Sequence, residues 1–355
     1  MVVRYLIPPG AALEVAVDDT PFRRCGKKVA QACWAHDGAA RAPTRIGYGN
    51  TWVIVAIVAR PPMLRRPVAL PVAAWWGRGR AGLSRTLLAF CLVTRLATEF
   101  GDRAVHVVAD AAYHNAYLRD LPANVTWSCR LAKNAVLFGP APARTGRRGR
   151  PRRRGERLGV PAEVADTPAT TWTPALVTRY GQVTTVGLAD VDCLWYGALG
   201  DLPVRLILVR EADSTTGYDL ALITTDRHTP AGVLVGRFAD RWSIEVTLRE
   251  SRQELGVGQA RNRVRRAVTR TVPFGLYTYT IVWLWYARSG HHPADVAEHR
   301  ARAPWYTTKR EPSFADALGK LRRVIIAHRN SPEFPARPAP AEIRAVLNAW
   351  AAASA

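Results

Sequence analysis

The sequence predicts an α/β protein built on a mixed sheet flanked by helices, with a block of short strands inserted into the chain. Three observations support this class. Strand-length apolar runs rich in β-branched residues fill the first third of the chain, and an amphipathic helix interrupts them. Four more short strands separated by turns follow later. Helical periodicity then prevails to the end of the chain.

The first strand is predicted over Leu13–Thr20, where valines alternate with smaller or polar residues. Pro21 is expected to end this strand, because proline cannot donate a hydrogen bond to a ladder. Asp18 and Asp19 are therefore predicted to lie at its carboxyl end.

Two further strands, Asn50–Arg60 and Pro67–Trp76, are predicted to form a hairpin or meander around a turn that contains prolines. The first of them is a near-continuous apolar run, typical of a central strand buried on both faces. Ser84 is then expected to cap a helix over Arg85–Phe100.

A fourth strand is predicted over Ala104–Ala109 and ends at Asp110. A short helix near His114–Leu121 and a strand at Val125–Arg130 follow. The first half thus reads strand, strand, strand, helix, strand, helix, strand, which is typical of a mixed α/β layer.

The second half is predicted to begin with an all-β block inserted into the sheet and to continue as helices. The block comprises the strands Val177–Leu188, Cys193–Ala198, Pro203–Arg210 and Tyr218–Thr224. One amphipathic helix is expected over Arg237–Gly256. The expected organisation is a first part of the catalytic domain at 1–135, a basic arm and β-rich insertion at 136–230, core-closing helices at 231–290 and a helical tail at 291–355.

The charge balance predicts a polyanionic partner. The chain has 50 Lys plus Arg against 28 Asp plus Glu, a formal charge of +22, and nucleic acid is the default partner at this imbalance. A bias toward GC-rich codons would explain why Arg outnumbers Lys, but it would not explain the excess of basic over acidic residues. Five scattered cysteines without a C-x-x-C pair favour a reducing compartment and argue against a zinc site.

A basic arm is predicted over 144–157, where eight of fourteen residues are Arg. Gly and Pro disfavour regular structure there, and like charges repel. The extended shape suits a narrow DNA minor groove, whereas the alternative is a solvated loop that happens to be basic. The candidate DNA contacts in the arm are Arg148, Arg150, Arg152 and Arg153.

Three acids are candidates for chemistry: Asp18, Asp110 and Glu245. Ligands of open sheets bind at the carboxyl ends of strands, so the two aspartates converge if their strands are neighbours, and a helix across that edge would deliver Glu245. Hard carboxylate oxygens suit Mg²⁺ or Mn²⁺. Two such ions about 4 Å apart can hold both oxygens of a phosphodiester displacement. Each acid taken alone is equally well a strand-end cap or a surface charge.

The predicted helix places Arg241, Glu245 and Arg249 on one face, because they are four residues apart. A carboxylate between two guanidinium groups is either an ordinary ion-pair ladder or a metal ligand in a phosphate-binding groove. The second interpretation gains weight from the two aspartates described above.

These residues resemble a known family. The spacing Phe238-x2-Arg241-x3-Glu245-x6-Arg252 is similar to the Y-R-E-K signature of DDE transposases from bacterial cut-and-paste insertion sequences. The stretches around Asp18 and Asp110 resemble that family's two aspartate motifs. The resemblance spans about Leu13 to Tyr286 and implies an RNase H-like fold with a β-rich insertion between the second aspartate and the glutamate.

The resemblance implies that Asp18, Asp110 and Glu245 hold two Mg²⁺ or Mn²⁺ ions, with Asp19 as the alternative first ligand. It implies that Arg241 and Arg252 contact DNA phosphates and that neighbouring arginines such as Arg249 assist. It further implies strand cleavage and strand transfer at element ends, with element-end and target DNA as partners and a homodimer that pairs two ends. In the insertion, an aromatic residue such as Trp195 would stack on a flipped base, although a buried tryptophan is the other interpretation.

The sequence departs from the family pattern at three places. Phe238 replaces the signature Tyr, and Arg252 replaces the signature Lys with different geometry. The first aspartate falls at position 18, where relatives usually carry a preceding helical DNA-binding region, so a shortened copy is expected. Two alternatives stay open: a DNA-binding remnant without catalysis, and another RNase H-like nuclease. The expected location is bacterial cytoplasm, in association with the nucleoid and not with a membrane.

Overall fold

The computed structural model describes residues 1–36, 46–77, 83–143, 151–330, 335 and 337–353. Twelve strands within these ranges form one sheet. The strands are β1 Leu13–Arg23, β2 Cys33–His36, β3 Ile46–Ala59, β4 Val68–Trp76, β5 Val105–Ala109, β6 Val125–Arg130, β7 Leu137–Phe138, β8 Arg157–Gly159, β9 Thr173–Arg179, β10 Gln182–Leu194, β11 Pro203–Arg210 and β12 Leu220–Thr224.

The α-helices of the described ranges cover the sheet and form the C-terminal part of the chain. They are α1 Val2–Leu6, α2 Arg85–Glu99, α3 Pro161–Asp166, α4 Tyr196–Leu199, α5 Ala231–Asp240, α6 Ser243–Leu255, α7 Arg265–Trp285, α8 Asp295–Arg302, α9 Phe314–Asn330 and α10 Pro340–Ala353. Of these helices, none combines the length and apolar character that a bilayer crossing requires.

Five strands form the centre of the sheet in the order β4-β3-β1-β5-β6. β1, β5 and β6 run parallel, whereas β3 is antiparallel to both β1 and β4. This confirms the predicted mixed α/β sheet and agrees with an RNase H-like fold. Because β1 and β5 are direct neighbours and their last pair joins Val17 to Ala109, Asp18 and Asp110 each follow the last paired residue of their strand.

The inserted strands continue the same sheet instead of forming a separate layer. β12 pairs with β6, and β11, β10 and β9 follow in antiparallel order. The predicted strand Val177–Leu188 is wrong, because a two-residue turn at Tyr180 and Gly181 divides it into β9 and β10. The predicted strand Cys193–Ala198 is also wrong, since β10 ends at Leu194 and α4 begins directly afterwards.

β1 does not end at Pro21 as predicted but runs on to Arg23. The Arg24 N–H donates to the Tyr48 carbonyl, and alternate residues of an antiparallel ladder face the same partner. The Pro21 nitrogen therefore faces away from β3. On the β5 side, the parallel pairing of β1 with β5 stops at Val17. Pro21 therefore interrupts no hydrogen bond of the sheet, although it has no N–H to donate.

The two faces of β1 belong to different cores. Val15 and Val17 pack into the core beneath α2, whereas Ala16 and Phe22 pack with α6 and α7. Successive side chains of a strand point to opposite faces. Asp18 therefore lies on the α6 side of the sheet and Asp19 on the α2 side.

The single predicted helix over Arg237–Gly256 is two helices, α5 and α6. Bonds from the N–H groups of Ile244 and Glu245 to the carbonyls three residues earlier tighten the chain between them. The break has a packing cause. Leu234 and its neighbours in α5 pack on the inserted strands, whereas Ile244 and its neighbours in α6 pack on the central strands.

Smaller local predictions had mixed outcomes. Ser84 caps α2 as predicted, with its hydroxyl oxygen accepting the Leu87 N–H at 3.1 Å. The predicted short helix near His114–Leu121 is instead a pair of 3₁₀ turns. Cys91 of α2 is exposed, although apolar residues flank it in the sequence.

Candidate active site

Asp18 is a largely buried carboxylate on the α6 side of β1. Its side chain is 20% exposed, and the Asp19 backbone N–H donates to its Oδ1 at 2.8 Å. Burial raises the pKa of Asp18 to about 6, against the opposing effect of the Arg241 charge. A buried, ionisable carboxylate at the end of a parallel pairing is a typical feature of a functional site.

Arg241 joins Asp18 to Glu245. Its Nη1 lies 3.6 Å from Asp18 Oδ2, and its Nη2 donates to Glu245 Oε1 at 3.0 Å. The guanidinium is buried, and its Nε has no hydrogen-bond partner in the described part of the chain. α6 thus places the Glu245 carboxylate beside the same Arg241 guanidinium group that Asp18 faces, although the two acids are far apart in sequence.

Asp110 follows directly after β5, and Val17 pairs with Ala109 in the parallel register of β1 and β5. In a parallel pair the aligned side chains share a face, so Asp110 continues the face that carries Asp18. Asp110 is exposed, and its Oδ1 accepts the Ala111 N–H at 2.7 Å as the cap of a 3₁₀ turn.

The three acids supply the hard oxygen donors that divalent cations such as Mg²⁺ prefer. The Arg241 guanidinium already lies between two of them, which shows that this position favours a cation. Within the described ranges, no three His, Cys, Asp or Glu side chains are close enough together to hold a metal ion. The donor types suit a divalent metal, but the three carboxylates do not form a metal-binding group in this arrangement: Asp110 is engaged in its cap, and Arg241 lies between Asp18 and Glu245.

Asp19, the alternative first ligand, lies on the opposite face of the sheet. Its Oδ1 accepts the Tyr113 hydroxyl at 2.9 Å, and its Oδ2 accepts Arg85 Nη1 at 2.7 Å. Burial raises the pKa of Tyr113 well above its ordinary value, and the Asp19 charge adds to this effect. Tyr113 follows Asp110 by three residues, so the Asp19–Tyr113 hydrogen bond ties the two aspartate-bearing strands together.

The signature positions Arg252 of α6 and Phe238 of α5 contact different strands. The Arg252 guanidinium donates to the Thr20 hydroxyl and lies 5.3 Å from the Phe22 ring centroid. Phe238 lies 5.7 Å from the Arg241 guanidinium and packs against the inserted strands. Arg249 is exposed one turn beyond Glu245.

The arm residues Arg148 and Arg150 lie outside the described residues, whereas Arg152 and Arg153 are exposed. At the root of the arm, the Arg154 guanidinium lies 4.2 Å from the Phe138 ring centroid and 5.0 Å from that of Tyr196. The root of the arm is therefore held against α4 of the insertion.

Sequence reasoning missed the roles of Tyr113 and Arg85, and no local motif marks either residue. Trp195 is buried, and its ring centroid lies 4.4 Å from that of His114, close to the end of β5. The insertion therefore returns to the sheet edge that carries Asp110. That contact joins segments far apart in the chain, and no local pattern encodes it.

A mixed sheet with one aspartate within a central strand just past its parallel pairing, a second aspartate directly after the neighbouring parallel strand, and a glutamate on a helix that crosses the first strand, is the arrangement of a DDE-type nuclease or transposase. The comparison with protein families agrees: the chain belongs to the DDE superfamily endonucleases, whose profile matches residues 1–190. The matched segment contains Asp18 and Asp110 and ends before Glu245. No curated protein matches the chain. Membership implies a nuclease or transposase that acts on DNA, in a class that generally uses divalent metal ions.

Proposed function

We propose that the protein is a transposase that cleaves DNA strands at insertion-sequence ends and transfers them to target DNA. One observation carries this proposal. Asp18 and Glu245, from β1 and α6, meet on the single guanidinium of Arg241 at the edge where Asp110 also ends its strand. The combination of these carboxylates with a net charge of +22 suits chemistry on a polyanionic backbone.

Asp18, Asp110 and Glu245 are the proposed ligands of two Mg²⁺ or Mn²⁺ ions. When bound, such ions supply an activated oxygen nucleophile and stabilise the leaving oxygen of a phosphodiester. Arg241 holds Asp18 and Glu245 near one point and balances their charge. Arg249 on the exposed side of α6 is positioned to bind a flanking phosphate.

Arg252 is proposed to bind a phosphate near the cleaved end from its position above Thr20. The arm residues Arg148, Arg150, Arg152 and Arg153 are proposed to follow the DNA beyond the site. We further propose that the division at 135, 230 and 290 separates the functional parts of the chain. Pairing of two element ends requires two copies of the protein, so we also propose that it acts as a homodimer.

The test is strand cleavage of a DNA duplex that carries the element end, with Mg²⁺ or Mn²⁺ as the metal. We expect the protein to nick this duplex, and Glu245→Gln and Asp18→Asn to abolish nicking while DNA binding persists. Asp19→Asn serves as the matched control, because its carboxylate lies on the opposite face. Residual nicking by Asp19→Asn is expected, and its complete loss together with full activity of Asp18→Asn would reassign the first ligand.

A second candidate is a DNA-binding protein of this family that does not cleave. The observation that favours it is the lack of a three-residue metal-binding group within the described ranges. DNA binding without metal-dependent nicking, equal in the unaltered protein and Glu245→Gln, would establish this alternative.

A further inference from the structure

A cavity of about 610 Å³ opens beside the flank of α6 that adjoins Glu245. Its wall includes Trp242, directly before α6, and Val246 and Arg249 of α6. Arg249 lies between the cavity and the carboxylate face of the helix. The volume is within the range of about 300–1,000 Å³ that is typical of ligand sites. The cavity therefore adjoins the proposed active site across a single helix.

Aromatic side chains line both the floor and the rim of this cavity. Its floor contains three buried rings, and its rim carries three exposed ones. The floor residues are Tyr279, Trp283 and Phe314, and the rim residues are Tyr180, Trp242 and Tyr306. The floor rings pack on one another, with the Tyr279 and Phe314 centroids 4.2 Å apart, whereas the exposed rim rings offer faces on which planar bases can stack. The hydroxyl of Ser243, which also lines the cavity, is buried and has no hydrogen-bond partner among the described residues, so it is available to the polar edge of a base.

The charged side chains that line the cavity leave an excess of positive charge. Its acids are engaged, since Asp240 pairs with Arg60 at 2.5 Å and Glu311 with Arg66 at 3.3 Å. The third acid, Glu250, accepts the Tyr279 hydroxyl at 2.7 Å, and burial raises its pKa. Three arginines of the lining make no ion pair within the described part of the chain. They are Arg65, Arg249 and Arg310.

The rim residue Tyr180 has a strained backbone. Its φ is +52°, in the left-handed region that costs a residue with a Cβ roughly 1–2 kcal/mol. The hairpin that carries it lies against the turn before β4, where the Gly181 Cα carries no side chain and Arg66 Cγ would be 3.6 Å from a Cβ there. Both central residues of the two-residue turn between β9 and β10 have a positive φ, as such turns require, and this turn places the Tyr180 ring at the rim of a basic cavity.

We propose that this cavity binds single-stranded DNA, with an unpaired base against its rings and the adjoining phosphates on Arg65, Arg249 and Arg310. Duplex DNA keeps its bases stacked inside the helix, so only an unpaired strand can place a base against the rim rings. Arg249 lies one helical turn from Glu245, so a strand that leaves the carboxylates crosses α6 directly into the cavity. This inference rests on the proposed action on DNA and assigns a path to the strand that cleavage frees.

The test is fluorescence anisotropy with a labelled oligothymidylate strand, alone and as its duplex with oligoadenylate, in EDTA so that cleavage does not contribute. The cavity variant is Arg249→Ala with Arg310→Ala. The control removes the same charge at two exposed arginines outside the cavity, Arg95→Ala with Arg322→Ala. A second cavity variant, Tyr306→Leu, replaces an exposed rim ring without a change of charge.

We expect the double cavity variant to bind the single strand at least about tenfold more weakly and to lower the salt slope by about 1.4, since two phosphate contacts are lost at about 0.7 each. Tyr306→Leu should weaken binding about fivefold or more through lost stacking, with an unchanged salt slope. The control pair should leave single-strand affinity close to that of the unaltered protein.

Equal losses in the cavity and control pairs, or equal losses for duplex and single strand, would overturn the proposal. A strand substituted with bromodeoxyuridine should cross-link under ultraviolet light to Trp242, Tyr180 or Tyr306, and a cross-link mapped only elsewhere would also overturn it. Because this assay contains no metal, it is independent of the nicking test. Cavity-dependent single-strand binding together with no nicking in Mg²⁺ or Mn²⁺ would reject the proposed enzyme and keep this site. Metal-dependent nicking together with single-strand binding that does not depend on the cavity residues would keep the proposed enzyme and reject this site.

Discussion

At the scale of single residues, Asp18 and Asp19 are consecutive acids with opposite surroundings. Asp18 is buried beside Arg241 and Glu245, whereas Asp19 accepts hydrogen bonds from Tyr113 and Arg85. The alternation of the strand decides this difference, because it directs one carboxylate to the α6 face and the other to the α2 face. Their contributions to stability should therefore have opposite signs.

Asp18→Asn should raise the free energy of unfolding above pH 6 in metal-free buffer. Burial raises the pKa of Asp18 from 3.8 to about 6, so the ionised carboxylate destabilises the folded state. That penalty is absent below the unfolded pKa, grows as the pH rises through about 6 and then stays constant. We expect a gain of about 1–3 kcal/mol near neutral pH that vanishes near pH 4, measured by urea unfolding across the pH range.

Asp19→Asn is the control for this prediction and should lower stability by about 1–2 kcal/mol at neutral pH, because it weakens the bonds from Tyr113 and Arg85. Tyr113→Phe should cause part of the same loss, since it removes one of those bonds. A change of the same sign in Asp18→Asn and Asp19→Asn would contradict the assignment of the two acids to opposite faces.

At the scale of elements, the left-handed backbone of Tyr180 in the hairpin between β9 and β10 is expected to lower stability. Asn tolerates a left-handed backbone better than Tyr, so Tyr180→Asn should raise the free energy of unfolding by about 0.5–1 kcal/mol. The same variant should weaken single-strand binding in the anisotropy assay, because the rim ring is lost. Gly181→Ala, at φ +78°, should be destabilising and is the matched control for the turn.

Stability and affinity that both fall in Tyr180→Asn would show that the ring stabilises the hairpin and that its backbone carries no strain. A rise in stability with unchanged affinity would remove Tyr180 from the proposed cavity.

The same elements show which features the sequence determines locally. Apolar runs and a Ser cap are sufficient to locate β3, β6 and α2, since their causes lie within each segment. The passage of β1 through Pro21 depends on β5 ending its pairing at Val17, and the division between α5 and α6 depends on two different surfaces that the helices cover. These causes lie in other segments, so local patterns could not predict them.

The candidate site likewise has some features that the local sequence predicts and others that only packing determines. The sequence predicts Asp18, Asp110 and Glu245 as residue types at strand ends and on a helix. The pairing of Arg241 with two acids and the bonds of Asp19 to Tyr113 and Arg85 arise only when β1, α2 and α6 come together. Sequence spacing therefore identifies the candidate acids, and packing assigns each one a face and a partner.

At the scale of the whole molecule, buried ion pairs join parts of the C-terminal segment to one another. Only five of the 50 basic residues are lysines, and two of them, Lys309 and Lys320, are buried. Lys320 Nζ lies 2.6 Å from Asp295, which also accepts the Tyr286 hydroxyl at 2.7 Å. A compact ammonium group fits such a buried position, whereas the planar fork of arginine needs more room and more acceptors.

Lys320→Gln should therefore destabilise the protein by about 3 kcal/mol or more, because it leaves Asp295 buried without its cation. Arg227→Gln is the control, since its pair with Asp192 lies at the surface with side chains 49% and 58% exposed, and it should cost less than about 1 kcal/mol. Urea unfolding measures both. The segment that carries Lys309 and Arg310 lies between Asp295 and Lys320 in sequence and lines the proposed DNA cavity, so Lys320→Gln should also weaken single-strand binding at temperatures below unfolding. Retained affinity together with lost stability would show that the cavity wall is held by contacts other than this ion pair.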